Sequence, residues 1–250
     1  MLQVVNLKVR VDGTKVLDGV SFYLEQGNTY VLFGANGSGK SSLLNTIIGN
    51  PKYRLVSGRI LFKDVDVTEM SPDERVKLGM GIAFQNPPRV EGVRLRELLE
   101  YCRGISGLSE EEVERYVEML NMEDLIDRHV NRGFSGGELK RSEVLQLLVL
   151  NPDLVMLDEP DSGVDIENLS IMGKALRTLL EREKGKHERT KTSLLITHTG
   201  HILQYVDADY GMILHNGRIA CIGNPERILE DITRYGYEGC VDRCLRNKTE

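Results

Sequence analysis

The chain has 250 residues, of which 40% are apolar, so it can bury a substantial core in one large domain or two small ones. Its net charge of -6 and pI near 5.5 give no general attraction to nucleic acid, which makes DNA binding a poor first hypothesis. No run approaches the roughly eighteen apolar residues of a membrane span, and residues 1–4 lead directly into strand-like sequence, so we expect a cytoplasmic protein without direct membrane insertion.

The first part of the chain predicts antiparallel strands. Residues 3–11 alternate apolar and polar side chains, Asp12-Gly13 is a hairpin signal, and residues 16–22 begin the return strand. Residues 30–33 form a short apolar strand that leads into a glycine-rich loop.

That loop fits the pattern G-x-x-x-x-G-K-[ST] without a mismatch, with Gly34, Ala35, Asn36, Gly37, Ser38, Gly39, Lys40, Ser41 and Ser42. Such a loop points several backbone N–H groups at one phosphate, while Lys40 adds positive charge and the Ser41 hydroxyl can bind Mg²⁺. Residues 42–48 then predict a helix whose N-terminus faces the same phosphates. A simple Gly/Ser-rich turn is the alternative, but the flanking strand and helix favour a nucleoside triphosphate site.

The middle of the chain changes character after an apolar strand that ends in Gln85. Residues 57–64 predict a further strand, whereas residues 94–150 predict helices with little strand signal. Two capping boxes mark helix starts, Ser109 with Glu112 and Ser135 with Glu138. We therefore expect a helical lobe inserted into an α/β core.

Two buried strands follow, and each ends in polar side chains. Residues 154–157 are continuously apolar, as in a central parallel strand, and precede Asp158 and Glu159. Mg²⁺ at the phosphate loop would balance these acids, with Asp158 binding it directly or indirectly and Glu159 polarising water. A strand that merely exits into solvent is the alternative.

The second buried strand, residues 193–197, precedes His198, which is either a structural histidine or a γ-phosphate ligand. Residues 210–223 predict a closing hairpin across Asn216-Gly217.

Taken together, these motifs resemble those of an ABC ATPase in order and spacing. Walker A is residues 34–42, the Q-loop residue is Gln85, the signature is Ser135-Gly136-Gly137-Glu138, Walker B is Asp158-Glu159, the D-loop is residues 162–165 and the switch histidine is His198. Residues 134–146, 161–166 and 196–198, together with Gln85-Asn86-Pro87 and the tail Gly236-Tyr237, are further similar to the SufC family. The resemblance covers nearly the whole chain.

The resemblance implies a fold and a function. The fold is α/β, a P-loop NTPase of the ABC ATPase type with an antiparallel β subdomain and an inserted helical subdomain. It forms a single domain over residues 1–250, with residues 1–85 and 151–250 as catalytic core and residues 86–150 as the helical subdomain. SufC proteins are cytosolic ATPases that drive iron–sulfur cluster assembly on a SufB or SufBD scaffold.

The resemblance also implies residue roles in a nucleotide-dependent dimer with ATP and Mg²⁺. Walker A of one subunit binds ATP, and the other subunit closes over it with Ser135, Gly136, Gly137, Glu138 and Asp165. Lys40 neutralises phosphate charge, and Ser41, Gln85 and Asp158 bind Mg²⁺. Glu159 polarises water, and His198 positions the γ-phosphate.

Three departures from the general ABC pattern qualify this expectation. Arg10-Val11-Asp12 stands where many transporter subunits carry an aromatic residue that stacks on adenine, so adenine recognition should be weaker. Glu138 replaces the usual glutamine and Asp161 the usual threonine, both in the direction of the SufC family. The nucleotide-binding subunit of a membrane transporter remains an alternative, while Glu159 and His198 disfavour a non-hydrolysing binding module.

Two further expectations concern the partner and the cysteines. Residues 86–101 directly follow Gln85, so a shift of that glutamine would pass to them, and we expect this segment to dock the scaffold. The four cysteines, Cys102, Cys221, Cys240 and Cys244, are too few and irregular for a disulfide framework, and we expect all of them to be reduced. Cys240 and Cys244 lack a nearby histidine, which favours free thiols over zinc and leaves a transient role with iron or sulfur open.

Overall fold

The computed structural model of the chain describes residues 1–197 and 200–246. Within those residues it has ten strands: β1 Leu2–Val11, β2 Thr14–Leu24, β3 Thr29–Phe33, β4 Arg54–Phe62, β5 Val65–Asp66, β6 Met80–Ala83, β7 Leu154–Asp158, β8 Thr192–Ile196, β9 Tyr210–His215 and β10 Arg218–Gly223. The helices are α1 Lys40–Ile48, α2 Pro72–Lys77, α3 Leu95–Ser106, α4 Glu110–Met119, α5 Gly136–Leu150, α6 Ile166–Leu179 and α7 Pro225–Arg246. Two 3₁₀ turns, Lys186–Glu188 and His201–Gln204, complete the elements.

The strands form two sheets that share a core. The antiparallel sheet has the order β2-β1-β4-β5, and its first hairpin turns at Asp12-Gly13 with both residues at positive φ, as the sequence predicts. The second sheet has the order β10-β9-β3-β8-β7-β6, with parallel neighbours except for the β9–β10 hairpin. Every residue of β3, β7 and β8 is buried, which explains their continuous apolar runs.

The helices α3, α4 and α5 lie between β6 and β7 in the chain, so the expected insertion of helices is present. Both capping boxes form: Ser109 caps α4 with Glu112, and Ser135 caps α5 with Glu138. Helix α5 ends at the left-handed Asn151 before Pro152, and it packs against α3 and α6. Its apolar side thereby joins the helices to the sheet in one buried cluster that includes Leu145, Val155 and Leu176.

Helix α2 was not expected from the sequence, although its start carries the same signal as α4 and α5. Ser71 and Glu74 form a reciprocal capping box, with the Ser71 N–H donating to Glu74 Oε2 at 2.8 Å, and Pro72 occupies the first helical position. Its six residues are too few for a clear apolar period, which is why periodicity did not reveal it.

The expectation that all four cysteines are reduced is wrong for two of them. Cys221 on β10 and Cys244 on α7 form a disulfide with Cα atoms 6.1 Å apart, whereas Cys102 and Cys240 are buried free thiols. Helix α7 breaks at Gly236, and its second part returns over the sheet, which brings the two cysteines together across 23 residues of sequence.

Among the helices of residues 1–197 and 200–246, none is both long and apolar enough to cross a bilayer.

Candidate nucleotide site

The glycine-rich loop lies between β3 and α1 and requires its glycines. A Cβ on Gly34 would lie 2.5 Å from the Leu214 carbonyl oxygen, and a Cβ on Gly39 would lie 2.8 Å from the Val16 carbonyl oxygen. Gly39 also has φ 102°, a conformation that other residues rarely adopt. The backbone of the loop is therefore fixed by close approach to β2 and β9, and it begins helix α1 directly.

Lys40 and Ser41 follow the loop and face its interior and the end of β7. Lys40 is buried, and its Nζ donates to the carbonyl oxygens of Gly34 at 2.7 Å and Ala35 at 3.1 Å. Burial lowers the pKa of Lys40, while the nearby Glu159 and Asp158 act to raise it. The Ser41 hydroxyl donates to Asp158 Oδ1 at 3.1 Å. The loop and the acidic strand end are thus in direct contact.

Asp158 and Glu159 are both buried at the carboxyl end of β7. Burial raises the pKa of Asp158, and the hydrogen bond from Ser41 partly offsets that effect. Glu159 has φ 50°, and its Oε2 accepts a hydrogen bond of 2.7 Å from Gln85 Nε2. Two side chains that follow the ends of β6 and β7 therefore meet beside the loop.

These residues surround one open cavity of about 510 Å³, lined by Val16, Asn36, Gly37, Gly39, Lys40, Ser41, Ser42, Gln85 and Glu159. Its size lies within the range of small-molecule sites. Its hydroxyl, carboxylate and amide groups are the oxygen ligands that Mg²⁺ takes together with substrate phosphates. The Ser41–Asp158 contact therefore fits a Mg²⁺ site next to the phosphate loop.

The Q-loop is held by two charged side chains of α5 that the sequence reasoning did not single out as site residues. Lys140 Nζ donates to the carbonyl oxygens of Phe84 at 3.2 Å and Gln85 at 2.9 Å. Glu143 Oε2 accepts from the Phe84 N–H at 2.7 Å. Burial raises the pKa of Glu143 to about 7, although the Phe84 N–H and Lys140 favour its charged form. In the sequence the two side chains are separated by three positions and are not distinguished from the neighbouring charges Glu138 and Arg141.

The signature residues lie on another face of the same chain. Ser135 and Gly136 are exposed, and the Ser135 N–H donates to Glu138 Oε2 at 2.7 Å. A Cβ on Gly137 would lie 2.7 Å from Asn168, whose backbone N–H donates to Asp165 at 2.9 Å. The signature and the D-loop are therefore neighbours, and among the described residues that line the 510 Å³ cavity neither is represented.

His198 lies outside the described residues, but Thr197 before it and the chain from Gly200 onward are described. Thr197 Oγ1 donates to Asp161 Oδ2 at 2.9 Å and accepts from the Gly200 N–H at 3.0 Å. Asp161 is buried and also accepts from the Ile202 N–H at 3.4 Å. The carboxylate after Walker B thus fixes the chain on both sides of positions 198 and 199.

Comparison with known proteins agrees with these motifs. A family model described as ABC transporter matches residues 17–162. A probable ATP-dependent transporter, ycf16, of Cyanophora paradoxa is 37% identical over 250 residues, covering 95% of this chain and 93% of that protein. A probable ABC transporter ATP-binding protein of Streptococcus pyogenes serotype M3 is 32% identical over 249 residues, covering 96% and 94%.

Solved structures confirm the predicted fold class. An ATP-binding cassette of an ABC transporter in its ADP conformation has a TM-score of 0.72 at 27% identity and covers 96% of this chain and 97% of that one. A dimeric bacterial ABC transporter cassette shares the fold, with a TM-score of 0.73 at 21% identity and coverage of 90% and 99%. The phosphate loop, the acids at the end of β7 and the family match lead to one conclusion: the chain belongs to the ABC transporter ATPase family and is an ATPase.

Proposed function

We propose that this ATPase is cytoplasmic and drives iron–sulfur cluster assembly on a soluble scaffold of SufB or SufBD type. One observation carries the proposal. Asp161, which stands where transporter subunits usually carry threonine, is buried and accepts hydrogen bonds from Thr197 and Ile202. A threonine would offer one hydroxyl oxygen in place of a carboxylate, so this departure toward the SufC pattern has a structural role at the site.

The proposed catalytic roles fall on residues at or near the cavity and on His198. Lys40 neutralises charge on the β- and γ-phosphates, and the backbone N–H groups of residues 34–42 bind them. Mg²⁺ bound by Ser41, Asp158 and Gln85 would neutralise phosphate charge during transfer. Glu159 lies at the cavity wall and polarises the attacking water, and His198 positions the γ-phosphate.

The complete site needs a second copy of the chain. Ser135, Gly136, Gly137, Glu138 and Asp165 lie on a face apart from the cavity of their own chain, so they act on the nucleotide of a partner. The N-terminus of α5 would then direct its positive end at the γ-phosphate. ATP would hold the two copies together, and hydrolysis would release them.

The scaffold would dock on residues 86–101, within the proposed helical subdomain of residues 86–150. Val90 and Val93 are each 36% exposed, and Arg89 and Arg94 are exposed beside them in sequence. Leu95 and Leu99 are buried instead and belong to the core. Since Lys140 and Glu143 hold the Q-loop backbone, a movement of Gln85 would reach this segment and α5 together.

The nucleotide-binding subunit of a membrane transporter is the second candidate function. The relatives in Cyanophora paradoxa and Streptococcus pyogenes, named a probable ATP-dependent transporter and a probable ABC transporter ATP-binding protein, favour it. Such a subunit would use the same site but would need an integral membrane partner.

Affinity purification of the Glu159→Gln variant from native cells, with ATP and Mg²⁺ present, separates the two functions. We expect recovery with a soluble partner that carries iron and acid-labile sulfide. Recovery with an integral membrane protein, and no soluble iron-binding partner, would establish the transporter function instead.

A further inference from the structure

The end of α7 contains two features that the nucleotide site does not explain, Gly236-Tyr237 and the disulfide. Gly236 interrupts the helix with φ 69° and ψ 176°, a conformation that favours glycine. Residues 237–246, called here the tail helix, continue beyond this break and return over the six-stranded sheet.

The tail helix packs against the strand that leads into the phosphate loop. Cys240 and Val241 are buried, and they share an apolar cluster with Val31 and Phe33 of β3 and with Ile213 of β9. Because Phe33 immediately precedes Gly34, the tail helix supports the base of the loop.

Tyr237, at the first position of the tail helix, lies beside the loop. Its ring packs against the apolar cluster that contains Val31 and Phe33. Tyr237 and Glu238 also share the wall of a cavity of about 460 Å³ with Ala35, Asn36 and Ser38. This cavity lies beside the phosphate loop and is lined on its other sides by residues 14–18 and 215–217.

The far end of the tail helix is anchored covalently. Cys244 lies seven residues beyond Tyr237, or about 10 Å along a helix, and is bonded to Cys221 of β10. Near this end Arg243 pairs with Asp231 at 3.5 Å and lies 4.6 Å from the Tyr235 ring centroid, contacts that contribute little at a half-exposed position. The disulfide adds a covalent constraint on the position of the tail helix.

We propose that the tail helix is a redox-controlled brace of the phosphate loop, in which the Cys221–Cys244 disulfide holds Tyr237 beside that loop and thereby favours ATP binding. A dithiol of the thioredoxin class, or a small-molecule dithiol, opens the brace. Two electrons and two protons pass from the dithiol, the Sγ–Sγ bond breaks, two cysteine thiols form, and the reductant becomes a disulfide. Tyr237 is in this account a positioning residue, and the inference goes beyond the proposed scaffold function.

The test compares ATP affinity of the purified, oxidised protein with that of the same protein after reduction by dithiothreitol and removal of the reductant. Reduction should weaken ATP binding by roughly two- to tenfold, because the phosphate loop loses the support of the tail helix. Tyr237→Ala, which removes the ring from the cavity wall, should show the weaker affinity in both redox states, with its fold unchanged by circular dichroism. Before reduction, denatured protein should expose only the thiols of Cys102 and Cys240.

Two control variants assign the effect to this disulfide. The double variant Cys221→Ala with Cys244→Ala should bind ATP as the reduced protein does and should not respond to dithiothreitol. Cys102→Ala removes a free buried thiol of the helical insertion and should keep the full redox response. Equal ATP affinity of the oxidised and reduced protein, or four reactive thiols in the oxidised protein, would overturn the proposal, whatever partner the ATPase has.

Discussion

Glu159 is the residue that we propose polarises the attacking water. We expect Glu159→Gln to bind ATP while losing hydrolysis by about 10² to 10⁴-fold, the usual contribution of a general base. The amide oxygen can still accept from Gln85, so the cavity should keep its shape.

Gel filtration with ATP and Mg²⁺ should show the Glu159→Gln variant accumulating as an ATP-bound dimer. Glu183→Gln, at an exposed position, should hydrolyse as the native protein does. Native turnover by Glu159→Gln would remove this residue from the role.

Glu143 predicts a pH dependence of stability. Its pKa is about 7 in the folded chain against 4.5 for an ordinary glutamate, so the folded state binds more protons between these values. The free energy of unfolding should therefore fall as pH rises from 4.5 to 7, by about 3 kcal/mol from this group. Glu143→Gln keeps an oxygen for the Phe84 N–H and should lose this fall.

Urea denaturation at pH 5 and pH 8 measures the effect as a difference between native and variant proteins. Glu114→Gln, which changes an exposed carboxylate of α4, should retain the native pH dependence. Identical pH dependence in the native protein and Glu143→Gln would show that Glu143 is not a perturbed buried acid.

Residue by residue, the sequence predicted contacts that are local or carry a strong pattern. Ser135 and Glu138 follow a capping box, and their hydrogen bonds form as that pattern requires. Lys140 and Glu143 were not predicted to hold the Q-loop, because a charged pair on a helix usually faces solvent and only tertiary packing places it against Phe84. The Cys221–Cys244 disulfide was not predicted for the same reason, because Cys244 reaches Cys221 only through the break at Gly236.

Among the elements, the segment of residues 86–101 follows Gln85 directly and is the docking site that we propose for the scaffold. Val90 donates its N–H to the Val130 carbonyl oxygen at 3.1 Å, and the Val130 N–H donates to the Val93 carbonyl oxygen at 3.0 Å. These backbone bonds hold the segment while the Val93 side chain faces outward. Side-chain changes here should therefore alter the surface without altering the fold.

We expect Val93→Asp together with Arg89→Glu to weaken scaffold binding strongly, because an apolar contact and a positive charge are both replaced by negative charge. ATP binding to the isolated subunit should be unchanged, since neither residue lines the nucleotide cavity. A matched control is Val56→Asp with Arg59→Glu, which makes the same charge change at exposed positions of β4. Native scaffold affinity in a folded Val93/Arg89 variant would exclude this segment as the docking site.

For the whole molecule, the arrangement of sheets and helices was more accessible from sequence than the assembly. Continuous apolar runs predicted the buried strands β7 and β8, and hairpin signals at Asp12-Gly13 and Asn216-Gly217 predicted both hairpins. A partner would be recognised by surface residues such as Val93, whose exposure no periodicity specifies. We propose that hydrolysis at the ATP site drives cluster assembly on the scaffold that docks there.

The most direct test measures iron and acid-labile sulfide on the scaffold purified from cells that express either the native chain or Glu159→Gln as the only copy. The native chain and the Glu183→Gln control should both yield a cluster-loaded scaffold, whereas Glu159→Gln should leave the scaffold at least about tenfold poorer in cluster, given the expected loss of hydrolysis. Equal cluster content with the native chain and Glu159→Gln would contradict the claim that ATP hydrolysis at this site drives cluster assembly.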